Sequence, residues 1–457
     1  MDVETLSRIQ FAFTISFHYI YPPLSIGLGV MLVFMEGMYV KTGLKIYETM
    51  TRFWIKIFAL IFGIGVATGI VMEFEFGTNW ATYSRYVGDI FGSALAAEGI
   101  FAFALESGFL GLLLFGWNRV STKVHFFSTI MVALGSMFSA IWIVVANSWQ
   151  QTPAGFHIVG EGIKARAEVT DFWAMVFNPS SVDRLSHVLV AAFLAGSFLV
   201  LSVHAYYLYR NRHVEISKKA FKMALIVATV SGLLQLVTGH HSANGVAVNQ
   251  PAKLAAFEGH YDSLKAGDMY LFGKVNQEKQ TVSGLKIPGG LSFLLHNDFT
   301  TPVKGLNAFP VNDRPKHVNA IFQVYHIMVA IGMIIIGLTL FAVFLWWRGK
   351  LFSYKWLLLV FSFSVLLPQL GNQVGWFSAE MGRQPWVVYG LLRTSDALSK
   401  SVKAEQVLFS LILFAFIYSV LFVLFIYLLN KKIQHGFDEI ADEDIPDYSK
   451  RNNPILK

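Results

Sequence analysis

The chain has 457 residues, of which 54% are hydrophobic and only 14% charged, with 41 phenylalanines. Soluble domains carry about a quarter charged residues, so this composition excludes a soluble fold and points to membrane spans. Cysteine is absent, which excludes disulfides, iron–sulfur clusters, thiolate-ligated haem and thioether-attached haem, and the net charge of +7 collects at the ends of apolar runs rather than in a nucleic-acid patch.

The N-terminal stretch MDVETLSRIQ lacks the basic start and short apolar core of a cleaved signal, so the first apolar run is expected to be retained. Nine spans are predicted, at about 12–40, 53–76, 94–117, 126–148, 185–208, 220–239, 318–347, 353–372 and 405–430. The expected fold is therefore all-α, a polytopic membrane helical bundle. Four short loops, among them VKTGLKIYETMTRFWIK and YRNRHVEISKKAFK, carry fourteen Lys or Arg, whereas the short segments on the opposite side carry nine. That bias puts the N-terminus outside and the C-terminus in the cytoplasm. Spans one to six then occupy residues 1–239 and spans seven to nine residues 317–430. A cytoplasmic tail follows at 431–457. Residues 240–316 form a polar extracytoplasmic loop with no spanning run, and a connection of that length is functional or disordered.

Four histidines fall within or at the ends of spans: His18, His187, His204 and His326. His18, His187 and His326 are all expected near the outer membrane level, as is Met328. A lone His in a span usually bonds a neighbouring helix, but several candidate ligands at one depth suggest a shared site. Met328, with a His from another helix, can close the axial positions of a low-spin haem. His326 and Met328 are two residues apart and face different sides, which argues against one shared iron. In span three, AAEGIFAFALESGF carries Glu98 and Glu106. Eight residues make a little over two turns, so both face one side, about 12 Å apart along the axis. Buried acids at that spacing suit a proton path. Lys253 and Glu258 flank LAAF at the start of the outer loop. From physics alone this reads as an amphipathic surface turn, yet it also offers a proton acceptor and a donor beside apolar surface. After span eight, GWFSAEMGRQPW places Glu380 and Arg383 three residues apart at the edge of hydrocarbon, where charges are costly.

Five stretches together resemble subunit I of the cytochrome bd-type quinol oxidases: LSRIQFAFTISFHYIYPPLSIGL, MEFEFGTNWATYSRYVGDIFGSALAAEGIFAFALES, ANSWQQTPAGF, QPAKLAAFE and GWFSAEMGRQPW. The resemblance spans nearly the whole chain and is of the short-loop type. It implies a respiratory terminal oxidase that oxidises quinol at the outer face and reduces O2 to water, building a proton motive force without pumping. It implies two haems b, one low-spin and one high-spin, and a third haem that is haem d or another haem b. His187 and Met328 match the ligands of the low-spin haem, and His18 and Glu380 those of the two high-spin haems, in an order left open. Lys253 and Glu258 match quinol-loop residues, and Glu98 and Glu106 a proton route. Arg383, Trp376, Arg8 and Asn147 match residues near the haems. The implied partners are subunit II, a small single-span accessory subunit in some assemblies, quinol, O2 and the lipid of a bacterial plasma membrane. Two departures stand out: His326 occupies a place where some relatives have arginine, and TGHHSAN lacks an expected acid.

Three other readings compete. A proton- or ion-coupled secondary transporter would use Glu98, Glu106 and Glu380 as binding groups, although no internal repeat supports it. A haem–copper oxidase needs a denser set of membrane histidines. A purely structural anchor leaves the paired acids unexplained.

Overall fold

The computed structural model describes residues 1–438, apart from the side chain of Glu73; the rest of the expected tail, 439–457, lies outside the described residues. Among those residues, nine helical segments are long and apolar enough to cross a membrane, as the apolar runs predict. The first is broken into α1 (Val3–His18) and α2 (Tyr21–Thr42). Asp2 caps α1 by accepting from Thr5 N at 2.7 Å. The break follows from Pro22 and Pro23, which lack the N–H groups that would bond the carbonyls of His18 and Tyr19. Freed carbonyls near the break are taken up from another helix: Gln373 donates to Ser16 O at 2.8 Å and Gln369 to Ile20 O at 3.3 Å.

Next come α3 (Lys45–Thr78), the short α4 (Ala81–Tyr86) and α5 (Gly88–Ala97), which runs through a π-helical turn at Glu98–Phe103 into α6 (Ala104–Phe115). α7 (Thr122–Gln151) follows, then a hairpin of β1 (Phe156–Val159) and β2 (Arg166–Val169), and α8 (Phe172–Val176). α9 (Ser181–Tyr209) and α10 (Val214–Asn249) form the centre of the bundle with α2 and α3, and their buried residues make up the largest apolar core.

The sixth span does not end near 239. α10 continues ten residues further, through TGHHSAN, because polar residues end the hydrophobic run without ending a helix. The connection between α10 and α13 is also folded rather than structureless. α11 (Pro251–Glu258) ends at Gly259, whose φ of 61° needs a glycine. The antiparallel strands β3 (Met269–Asn276) and β4 (Thr281–Ile287) and helix α12 (Gly290–His296) follow. Leu254, Phe257, Val275, Leu291 and Leu306 pack with Ile321 and Phe322 of α13 (Val318–Trp347) into a separate small core.

The eighth span is broken into α14 (Lys355–Phe363) and α15 (Leu366–Arg383). Pro368 disrupts the bond to the Ser364 carbonyl four residues earlier. Ser202 of α9 repairs the gap, donating to Phe361 O and accepting from Val365 N, both at 2.9 Å. GWFSAEMG is thus helical, and Glu380 and Arg383 sit in the last turn of α15 rather than beyond the span. β5 (Trp386–Val388), β6 (Leu392–Arg393) and the last span, α16 (Ala404–His435), complete the chain.

α2 and α9 cross at a glycine pair. A Cβ on Gly196 would stand 2.1 Å from the carbonyl carbon of Gly27, and one on Gly27 would stand 2.1 Å from Ala192 O. Alanine favours a helix by about 1 kcal/mol over glycine, whereas overpacking against backbone costs about 1–3 kcal/mol. The steric term wins. Gly196→Ala should lower the thermal midpoint of the detergent-solubilised protein, while Gly63→Ala, which meets nothing within 4 Å, should not. Equal midpoints for the two variants would mean that α2 and α9 do not touch there.

Candidate active site

α7 carries a row of amides at its C-terminal end that gathers charged groups from three other helices. Asn147 donates to Glu380 Oε1 at 3.2 Å and Gln151 to the same oxygen at 3.3 Å. Arg383 pairs with Oε2 of Glu380 and donates to Gln150 Oε1 at 2.8 Å. Arg184 of α9 donates to Asn147 Oδ1 at 2.5 Å. Lys253 of α11 donates to Gln151 Oε1 at 2.6 Å. One carboxylate is thus tied, directly or through an amide, to two guanidiniums and an amine, all within an interior that leaves Arg383 5% and Lys253 1% exposed. The Arg383 Nε–H is buried without a partner.

Lys253 and Glu258 are five residues apart on α11, so they point about 140° apart. The structure does not bring them together. Lys253 runs inward past Gly382, where a Cβ would stand 2.8 Å from its Cγ. Burial holds its ammonium well below the ordinary lysine range, and the Arg184 and Arg383 cations push in the same direction. Glu258 faces α13, with Oε2 4.0 Å from His326 Nε2 and no hydrogen bond to that oxygen. Burial pushes its carboxyl up to about 8. Burial thus disfavours the charged form of both groups. Phe257 stacks on Tyr325 at 4.5 Å, giving the flat apolar surface beside them.

His18 ends α1 at the proline break. Its Nδ1 is 2.9 Å from the Thr68 hydroxyl, which spends its own proton on Ile64 O or Gly65 O. The imidazole Nδ1 must then carry the proton, which leaves the Nε2 lone pair for a ligand. A Cβ on Gly69 would stand 3.2 Å from the His18 ring. His187 lies on α9 against α10, with Gln235 Nε2 3.0 Å from its Nε2, Thr238 Oγ1 3.3 Å from its Nδ1 and Gly239 3.6 Å from its ring as a Cβ. Met328 faces α15, where a Cβ on Gly375 would stand 2.8 Å from its sulfur. α10 and α15 each pack against both α9 and α13; no direct contact joins His187 to Met328. His326 turns the other way, with its two ring nitrogens 2.8 Å from the carbonyls of Phe322 and Tyr270, so the two-residue spacing separates it from Met328 as expected. His204 is structural: Trp54 donates to its Nε2 and Ser217 engages its Nδ1.

Glu98 and Glu106 both face α7, as their spacing predicts. Ser139 donates to Glu98 at 2.5 Å, and Ser136 bonds Glu106. Trp376 lies 6.1 Å from the Phe11 ring of α1. Arg8 stays outside the Glu380 network, half-buried on α1. Sequence reasoning missed Arg184 and the amides Gln150, Gln151 and Gln235 as site residues. Gln150 and Gln151 lay within the quoted ANSWQQTPAGF, and Gln235 is the one polar residue in the run LLQLV.

Among the described residues no three His, Asp or Glu side chains cluster as a bare metal ion requires. The candidate ligands instead come singly, one per helix. That suits an iron already held by four ring nitrogens. Glycines face the ring of His18, the ring of His187 and the sulfur of Met328, leaving room beside each for a flat macrocycle. Buried guanidiniums in excess of carboxylate, with an unused N–H, suit the acidic side chains of a porphyrin. The residues fit haem.

Buried protonatable groups, candidate thioether and imidazole ligands and nine candidate spans among the described residues fit the class of membrane redox proteins. A sequence profile described as cytochrome bd terminal oxidase subunit I matches residues 6–437, and the chain belongs to that family. It is 37% identical over 456 residues to the cytochrome bd ubiquinol oxidase subunit 1 of Bacillus subtilis, covering 98% of this chain and 97% of the relative. It is 34% identical to the cytochrome bd-II ubiquinol oxidase subunit 1 of Escherichia coli (97% and 98% covered) and 33% identical to a putative cytochrome bd menaquinol oxidase subunit I of Bacillus subtilis (94% and 96% covered). The bd oxidase structure from Geobacillus thermodenitrificans superposes with a TM-score of 0.87 at 28% identity, covering 95% of this chain and 99% of that one. Membership makes the chain a multi-pass, haem-carrying oxidoreductase of respiratory electron transport with quinol oxidase activity, and displaces the transporter reading.

The raised Glu258 carboxyl has a stability consequence. An unfolded Glu titrates near about 4.3 and the folded one near about 8. Between these values the folded state holds the extra proton, so stability falls as pH rises through that window and levels off above it, by up to about 1.4 kcal/mol per pH unit. Glu258→Gln should flatten the slope of thermal midpoint against pH between about pH 5 and 8. Parallel curves for wild type and variant would mean that Glu258 is already ionised when folded.

Proposed function

We propose that the chain oxidises quinol at the outer face of a bacterial plasma membrane, beside α11, and holds three haems at which O2 is reduced to water. The observation that carries this reading is the buried network running from Lys253 through Gln151 to Glu380. It joins the quinol-facing helix to a candidate iron ligand without crossing bulk water. The N-terminus would lie outside and the C-terminus in the cytoplasm, in keeping with the loop charges, and the folded segment after α10 would face the outside.

Glu258, with one oxygen free, takes a proton from the quinol hydroxyl when in its carboxylate form. Lys253, whose charged form is disfavoured by burial, bonds a quinol oxygen and can exchange a proton with it. The flat Phe257–Tyr325 surface receives the ring. His187 and Met328 would hold a low-spin haem b, and His18 and Glu380 the two high-spin haems, one of type b and one of type d or b. When bound, these haems supply one-electron transfer and the reduction of O2. Arg383 and Arg184 orient and balance Glu380 and the porphyrin acids. Quinol releases its protons outside, and water formation consumes one proton per electron. A membrane potential therefore arises without pumping only if the consumed protons come from the cytoplasmic side. Glu106 and Glu98, aligned on α7 with Ser136 and Ser139, offer that route. Subunit II is the partner implied by the family, and an accessory single-span subunit is compatible with it. Relatives named for ubiquinol and for menaquinol are comparably similar, so either quinol fits.

The test of the reading is a pyridine-haemochrome count with quinol-driven oxygen uptake on the two-subunit enzyme. Met328→Leu keeps volume and removes the axial sulfur. It should convert one haem to a high-spin or lower-potential form with the other two retained; an unchanged reduced spectrum and potential would return Met328 to the core. In vesicles with a potential-sensitive dye, Glu106→Gln should slow oxygen uptake and potential generation by about 10-fold or more while the His187 haem stays bound. Wild-type turnover and potential would remove Glu106 from the proton route.

A further inference from the structure

Glu75 lies on α3 and takes no part in the sites described above. It is 2% exposed. Its Oε2 accepts from the Thr14 hydroxyl of α1 at 2.6 Å, and its Oε1 is buried with no partner. No lysine, arginine or histidine pairs with it among the described residues. Two further buried hydroxyls without partners, Ser7 of α1 and Tyr418 of α16, belong to the helices that pack against it. An ordinary structural acid would use both oxygens, or give way to an amide or apolar residue. Here half of the carboxyl is left free.

Its place in the fold gives it a charge to answer to. Thr14 is one turn before His18 on α1. Thr68, which fixes the His18 ring, is seven residues before Glu75 on α3, about 10 Å along the axis. Toward the N-terminal end of α1, polar groups continue: Asn79 donates to Gln10 Oε1 at 2.8 Å, and Gln10 to Ser410 of α16 at 3.1 Å. The titratable group that faces Glu75 from a packing helix is Tyr418 of α16; His18 lies one turn beyond Thr14 on α1, against Thr68. On its own helix, the Glu73 side chain lies outside the description. α1 also carries the half-buried Arg8, about 9 Å along the axis before Thr14, but Arg8 forms no ion pair with Glu75 among the described residues. A positive charge that could balance an ionised Glu75 is that of ferric haem at His18, and reduction of the iron removes it.

We propose that Glu75 is a proton-holding residue for the haem at His18, ionised while that iron is ferric and protonated when it is ferrous. Each reduction then adds one electron, drawn from quinol, and one proton, drawn from water at the N-terminal end of α1 past Gln10 and Asn79. Reoxidation releases both. This rests on the assignment of His18 as an axial ligand.

The experiment uses the assembled two-subunit enzyme. Redox-difference infrared spectra of the wild type should show a carboxylic C=O band that appears on reduction and shifts between H2O and D2O. The band should be lost in Glu75→Gln and displaced in Glu75→Asp. Potentiometric titration should show that the His18 haem loses pH dependence in Glu75→Gln, while the haem at Met328 keeps its own. A band and a pH dependence that survive Glu75→Gln overturn the proposal. If Glu75→Gln does not assemble with full haem, Glu75→Asp decides: a displaced band supports the proposal and an unmoved one overturns it. His18→Ala separates the two readings. Full haem content in that variant defeats the ligand assignment and this inference with it, whereas haem loss there with an unmoved Glu75 band defeats this inference alone.

Discussion

A carboxylate removed from water must be compensated, and the end of the bundle at the C-terminus of α7 is arranged around how Glu380 meets that demand. Burying an unpaired carboxylate costs several kcal/mol even after relaxation. Glu380 has a guanidinium one helical turn away, and amides of α7 relay to it a second guanidinium and an amine. Those partners come from α9, α11 and α15. The network joins the four helices and ties the folded segment after α10 to the membrane bundle. It also explains why Lys253 can be buried, since its one recorded hydrogen bond leads back to the same carboxylate through Gln151.

Helix breaks do the complementary work. Pro22 and Pro368 each interrupt a span, and each interruption exposes carbonyl groups that cannot be left bare in hydrocarbon. Side chains of neighbouring helices take them up: Gln369 and Gln373 at the first break, Ser202 at the second. The first break leaves His18 at a helix end with Nδ1 held by Thr68. The second lets α15 start anew, so that it carries Gly375 past Met328 and ends with Glu380 and Arg383. Placing ligands thus depends on local disruptions that are repaired from elsewhere in the bundle.

Much of this was legible from the chain. The apolar runs gave the number of spans, and the eight-residue spacing of Glu98 and Glu106 correctly put both acids on one face, against α7. The two-residue spacing of His326 and Met328 correctly separated them. Other features were hidden by the same signals. Hydropathy marks where a run leaves hydrocarbon, not where a helix stops, so α10 and α15 run past their expected ends. The length and polarity of the connection left it as functional or disordered, and its fold was not visible because Leu254, Phe257, Val275 and Leu291 are scattered singly along it and meet only when packed against α13.

The sequence by itself determined the membrane class, the span count, the family and the identity of the candidate ligands, because hydropathy, periodicity and motif order are properties of neighbours along the chain. Only the tertiary structure decided which amide serves which charge, that Lys253 and Glu258 face different partners, and that Glu75 keeps a free oxygen inside the bundle. Asn147 and Glu380 are 233 residues apart, and helical periodicity carries no information over that distance. Their hydrogen bond exists because the fold brings the end of α15 beside the end of α7, where a largely buried carboxylate must find protein donors.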